Sequence, residues 1–150
     1  MKQLIYIGVA LVLIVAGYFA FQGYLSRSQK APGLIDGRLA PCGSKPNSVC
    51  SDNVSDQKHY IKPIALPVSS LSAVTAGVER SGGKIITVDQ DYLAAEFSSS
   101  VFGFVDDLEL LRDANAGVIH VRSASRVGYS DLGVNRKRVE ALRKLLENDQ

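Results

Sequence analysis

Arg122, Arg126 and Arg136 fall within one run, RSASRVGYSDLGVNRKR (122–138), together with Asp131 and Asn135, and the run GFVDD upstream carries Asp106 and Asp107. Guanidinium groups beside carboxylates can do two kinds of chemistry. They can form bidentate ion pairs inside a fold, or leave a guanidinium free to hold a small acid or phosphate in a pocket. The charge is segregated accordingly: 89–113 holds seven acids and one base, and 122–144 holds seven bases and two acids. Opposite charges on neighbouring strands already have each other as partners, which makes an internal ion-pair network the simpler reading.

The two runs read as the arms of a hairpin. If Asn115-Ala116-Gly117 is its loop, Asp106 lies opposite Arg126 and Leu110 opposite Arg122. A loop two residues longer leaves Asp106 diagonal to both arginines on the same face, whereas a slip of one residue substitutes Asp107 and Glu109. The expectation is Asp106 on the Arg122/Arg126 side, a face that also carries Phe102, Phe104, Leu108 and Leu110.

Other chemistry finds less support. Adjacent Asp106 and Asp107 point to opposite faces of a strand, so at most one carboxylate reaches a given ion. His59 and His120 stand alone, and Ser123 and Ser125 lack a Gly-x-Ser-x-Gly elbow. The glycines around Tyr129 match no Walker or dinucleotide pattern. Asp131 and Asn135 read as caps of a last helix, and Arg136-Lys137-Arg138 as its solvated face, with anionic lipid the sharper alternative. No catalytic residue, metal or cofactor is assigned. Between Leu39 and Gln150, 13 Lys/Arg face 14 Asp/Glu, so the net +2 argues for no nucleic-acid partner.

The elements that would position these groups form an α+β domain. Val68, Leu71, Val74 and Val78 recur at helical spacing and stop at Gly82-Gly83. Strand-like segments follow at 84–88, 92–98, 101–112 and 118–125, with Asp89-Gln90-Asp91 as a tight turn. A closing helix over about 135–148 carries Val139, Leu142, Leu145 and Leu146 as its apolar stripe. His59–Leu66 is expected as an edge strand tolerating Pro63. The whole predicts a two-layer sandwich, an antiparallel meander with two helices.

Ahead of that domain (41–150), residues 1–25 read as a transmembrane anchor and 26–40 as a tether without period. Leu4–Phe21 is almost wholly apolar, and Gln3–Ser26 carries no charge. Eighteen helical residues span about 27 Å, close to the hydrocarbon core. The run exceeds a signal-peptide core and lacks a placed cleavage site, which favours an uncleaved single-pass anchor. Flanking charges nearly tie for orientation. Cys42 and Cys50 sit in a Pro/Gly/Ser/Asn-rich stretch read as an irregular cap. A local disulfide in an oxidising compartment is the commoner meaning of such a pair, and two reduced thiols the alternative. Weighed together, these features point to a bacterial inner membrane with the domain on the periplasmic side.

The runs GFVDD (103–107), VRSASRVGYSDLGVNRKRVE (121–140) and APCGSKPNSVCS (40–51) resemble the family catalogued as domain of unknown function 1499, over about Leu39–Leu146. The family's pattern puts its second cysteine directly after the Pro-Asn pair. Here Ser48 holds that place and the thiol stands at Cys50, which points the same way in an extended segment. The resemblance implies no reaction. The expectation is a membrane-anchored envelope module without catalysis, whose Arg122, Arg126, Arg136, Asp106, Asp107, Asp131 and Asn135 hold a small anion, a lipid head group or an envelope protein. The alternative is a hydrolase using Asp106/Asp107 with Arg122/Arg126 on an anionic substrate.

Overall fold

A computed structural model of the chain describes residues 1–65 and 71–148. An N-terminal helix, α1 (Lys2–Ser28), leaves its apolar side chains largely uncovered and is long and apolar enough to cross a membrane. A small hairpin, β1 (Leu34–Ile35) and β2 (Arg38–Leu39), turns on Asp36 and Gly37, both at positive φ, the conformation that two-residue hairpins favour. The remaining elements are β3 (Ser48–Cys50), β4 (Ile64–Ala65), α2 (Leu71–Arg80), β5 (Lys84–Val88), β6 (Tyr92–Ser98), β7 (Val105–Asp113), β8 (Val118–Ser125) and α3 (Val134–Asn148).

The main sheet runs β3-β8-β7-β6-β5, all antiparallel, and β4 also pairs with the outer edge of β8. Its central arms are long because 105–113 and 118–125 alternate cleanly, with Leu108 and Leu110 facing Ser123 and Val121. Both helices lie on that side. Val74 and Val78 of α2 and Val139, Leu142 and Leu146 of α3 bury completely or nearly so against Leu93, Ala95, Leu108, Leu110, Ile119 and Val121. Gly77 marks the closest crossing of the helices: a Cβ there would lie 3.0 Å from a methyl of Leu146. The fold is thus the expected α+β sandwich.

Several local expectations change. The segment 41–56 is not wholly irregular, since Ser48–Cys50 adds a buried strand to β8. Cys42 and Cys50 form the expected disulfide. The third strand starts at Val105 instead of 101, because Ser99–Phe104 makes a turn with Gly103 at φ 66°. The expected edge strand at 59–66 shrinks to Ile64–Ala65, with one bridge from Tyr60 to Cys50. Leu66 and Val68 lie outside the described residues.

The tether also differs from expectation, for 26–40 folds onto the domain. Ser26, Leu39 and Ala40 are buried, and the Gly33 N–H donates to Glu109 at 2.9 Å. The helix packs just before this. A Cβ on Gly23 would stand 1.9 Å from the Phe102 carbonyl oxygen, so only glycine permits the approach. Phe19 meets Phe102 at 5.4 Å between ring centroids.

Candidate functional site

The β7–β8 loop decides which charges meet. It holds four residues, 114–117, with Asp113 accepting the N–H groups of Asn115 and Ala116 and Gly117 at φ 66°. A four-residue loop shifts the register by one from the three-residue loop read in the sequence. Asp106 consequently pairs with Ser125 and Glu109 with Arg122. This corrects the expected placement: Asp106 lies on the helix side, while Arg122 and Arg126 share the opposite face with Asp107 and Glu109.

On that opposite face, Arg122 donates to Glu109 at 2.7 Å, and the other Glu109 oxygen accepts from the Tyr92 hydroxyl at 2.8 Å and from Gly33. The Glu109 side chain is fully buried. Burial, and after it the hydrogen bond to Glu109, pushes the Tyr92 phenol well above its usual value. One step along the ladder, Arg126 Nε donates to both Asp107 oxygens and Nη2 to Asp107 and Glu96 at 2.6 Å each. Its Nη1 reaches the Ser26 carbonyl near the end of α1, which also accepts the Gln29 N–H. The Asp107 contact and then Glu96 outweigh burial and raise the Arg126 pKa further.

The helix side carries a second network. Arg138 donates to Asp106 at 2.6 Å and stacks over Phe97, 4.4 Å from the ring centroid. Reading 136–138 as a solvated helix face therefore fails at Arg138, because Asp106 on β7 stands beneath it. Asn135, expected as a cap, is fully buried inside α3. It accepts from Ser123 at 2.6 Å and from Arg138, and donates to the Asn47 carbonyl and to Ser125. Asp131 does cap the helix, accepting the N–H groups of Gly133 and Asn135. Burial opposes its charge, but these backbone N–H groups together prevail and hold its carboxyl below the usual range.

Among the described residues, Arg136 meets no carboxylate. It donates to the carbonyls of Tyr60 and Lys58, and Arg143 likewise holds those of Pro63 and Lys62, so α3 straps down the 58–63 segment. The hollow beside Arg136, bounded by Ser48, Lys58 and Asp131, is about 150 Å³, below the size at which small-molecule sites begin. The residues expected to share an anion site thus divide among two faces and a strap. Asp106 and Asp107 lie on opposite faces, and of the two it is Asp107 that shares the face of Arg122 and Arg126.

Two histidines complete the polar inventory. Buried His59 bridges Asp56 at 2.7 Å and the Lys45 carbonyl at 3.0 Å, and that bond holds the Asp56 carboxyl down. His120 sits with Ser51 and Asp52, a grouping of residues that the sequence reading did not make. Both contacts use the same ring nitrogen, Nδ1, at 3.2 and 2.9 Å. A nucleophilic relay needs the serine on one nitrogen and the carboxylate on the other. Ser51 is instead fixed as the acceptor of the Val121 N–H.

A cavity of about 460 Å³ lies where α1 meets the domain, and a larger, more polar one of about 660 Å³ lies beside His120 and Arg112. Tyr18 and Phe19 form the helix wall of the first, and Phe104, Val127 and Val134 the domain wall, with Asp106 at the polar side. The loops flanking it expose large apolar side chains: Val101 is 79 % exposed, Tyr129 71 % and Leu132 86 %. Sequence reasoning missed this site because it joins residues more than a hundred positions apart. Glu109 was legible only through the alternative register, and Glu96, Tyr92 and Arg138 gave no local signal.

None of the curated proteins compared with the chain matches it. The family model described as "Protein of unknown function (DUF1499)" matches residues 38–146, which include every strand of the main sheet, α2 and all but the last two residues of α3. The chain belongs to that family.

Proposed function

We propose that this protein is a single-pass inner-membrane protein of the bacterial envelope, whose periplasmic domain rests on the bilayer as a non-catalytic binding module. The observation that carries the reading is the seating of the domain on α1. Phe102 and Phe104 pack on Phe19, two residues and so about 3 Å inside the end of the apolar run. A domain held at that depth brings Val101, Tyr129 and Leu132 to the hydrocarbon edge, where apolar and aromatic side chains are favoured. The disulfide supports an oxidising compartment. Arg126, Arg136 and Arg138, each with two or more donors engaged within the fold, support scaffold and not anion capture.

The chain has no tryptophan, so Leu132→Trp gives a single fluorophore. In reconstituted vesicles its emission should shift to the blue and be quenched by lipids brominated on the chain. Water-like emission without quenching would sink the membrane-resting arrangement. Intact mass of protein taken from cell membranes tests the anchor, since cleavage after α1 would refute single-pass retention.

A further inference from the structure

We infer that the cavity between α1 and the domain takes the acyl chain of a bilayer phospholipid with an amine head group. The inference rests on the membrane-resting arrangement and adds the occupant. Its volume of about 460 Å³ is that of a ligand site, and its walls are apolar on both sides, from Phe19 on the helix to Phe104, Val127 and Val134 on the domain. Phe19 belongs to the last turn of the apolar run, so the opening lies where lipid chains begin. At that depth the molecule at hand is lipid, and because its chain leaves an equally apolar bilayer to enter the cavity, selection must come from the head.

The polar groups define that head. Two carboxylates, Asp106 and Asp131, line the cavity, and no Lys, Arg or His does. Asp106 spends one oxygen on Arg138, and its other has no protein partner among the described residues. Asp131 keeps its charge, being held by backbone N–H groups. Such a wall repels an anionic head and accepts from a donor, which fits an ammonium. An anionic lipid, the sharper sequence reading of the 136–138 cluster, is the wrong chemistry for this opening.

The test uses the full chain in detergent, titrated with phosphatidylethanolamine or phosphatidylglycerol and read by native mass spectrometry. One bound phosphatidylethanolamine is expected, retained about tenfold over phosphatidylglycerol, the worth of one hydrogen bond to a charged group. Val127→Trp, which fills the cavity, should abolish retention. Val134→Trp, from a half-exposed position, should do the same if Val127→Trp misfolds. No retained lipid, equal retention of both lipids, or equal retention by the wild-type chain and a folded Trp variant would overturn the inference. Quenching of Leu132→Trp by brominated lipid alongside any of these results would leave the membrane-resting arrangement standing, whereas its absence would fail that arrangement itself.

Discussion

Ser26, in the last turn of α1, both accepts the Val105 N–H at 2.8 Å and donates to the Val105 carbonyl at 3.2 Å. Both residues are buried, so one hydroxyl of α1 completes the start of β7. The carbonyl has a second donor in the Arg126 N–H, but Ser26→Ala leaves the Val105 N–H without a partner. The expected cost is about 1–3 kcal/mol, measured as a fall in the denaturant midpoint of the full chain in detergent. An unchanged midpoint would mean that the helix and sheet are not coupled there.

Gly23→Ala should separate helix and domain by another route, because the added Cβ meets the Phe102 carbonyl at 1.9 Å. Backbone cannot yield cheaply, and overpacking of this kind costs about 1–3 kcal/mol. Limited proteolysis should then cut within 28–40 faster than in the parent chain. Alanine elsewhere on the helix, as at Gly8 or Gly17 with open space around them, should change nothing.

The Arg126 side chain is 4 % exposed and neutralises two carboxylates. Arg126→Ala strands Asp107 and Glu96 and should lose about 3–5 kcal/mol. Lysine should restore little, since it lacks the fork that reaches Asp107 from Nε and Nη2 together. Replacing Arg126 and Asp107 jointly by Leu should recover part of the loss, and a double-mutant cycle on unfolding free energies checks it.

The acid limb of the stability curve should depend on Asp131. Its folded pKa lies below the ordinary 3.8, so its contribution is present above that value and is lost as pH falls through the folded pKa. Asp131→Asn keeps an acceptor for the α3 N–H groups and removes the titration, and it should flatten the slope below about pH 4. Equal acid slopes in the two proteins would refute the assignment.

The Cys42–Cys50 disulfide closes only a small loop, as eight positions separate the cysteines. The chain-entropy model then gives about 2–3 kcal/mol. Adding reductant, or Cys42→Ser with Cys50→Ser, should lower the unfolding midpoint by that amount and free the β3 edge. Alkylation in cells with and without reductant reads the compartment in the same experiment.

Much of the fold was legible because its signals are local. Lys84–Val88, Tyr92–Ser98 and Val118–Ser125 alternate between turn residues and fall at the bounds read from sequence. Ser48–Cys50 gave no such signal, being three residues among Pro, Ser and Asn that become a strand only because the edge of β8 is available. The site failed on parity. One extra residue in the 114–117 loop exchanged Asp106 for Asp107 and Glu109 as partners of the two arginines, and composition is blind to an odd or even count. The docking of Ser26 and Phe19 was out of reach, since only tertiary structure joins 19–26 to 102–105.

That docking makes α1 a lever and not a leash. With Gly23 against Phe102, Ser26 in the β7 backbone and Arg126 on the Ser26 carbonyl, a tilt of the helix must carry the sheet with it. Under the single-pass arrangement proposed above, changes in membrane thickness or tension would be felt directly at the strands that hold the buried carboxylates.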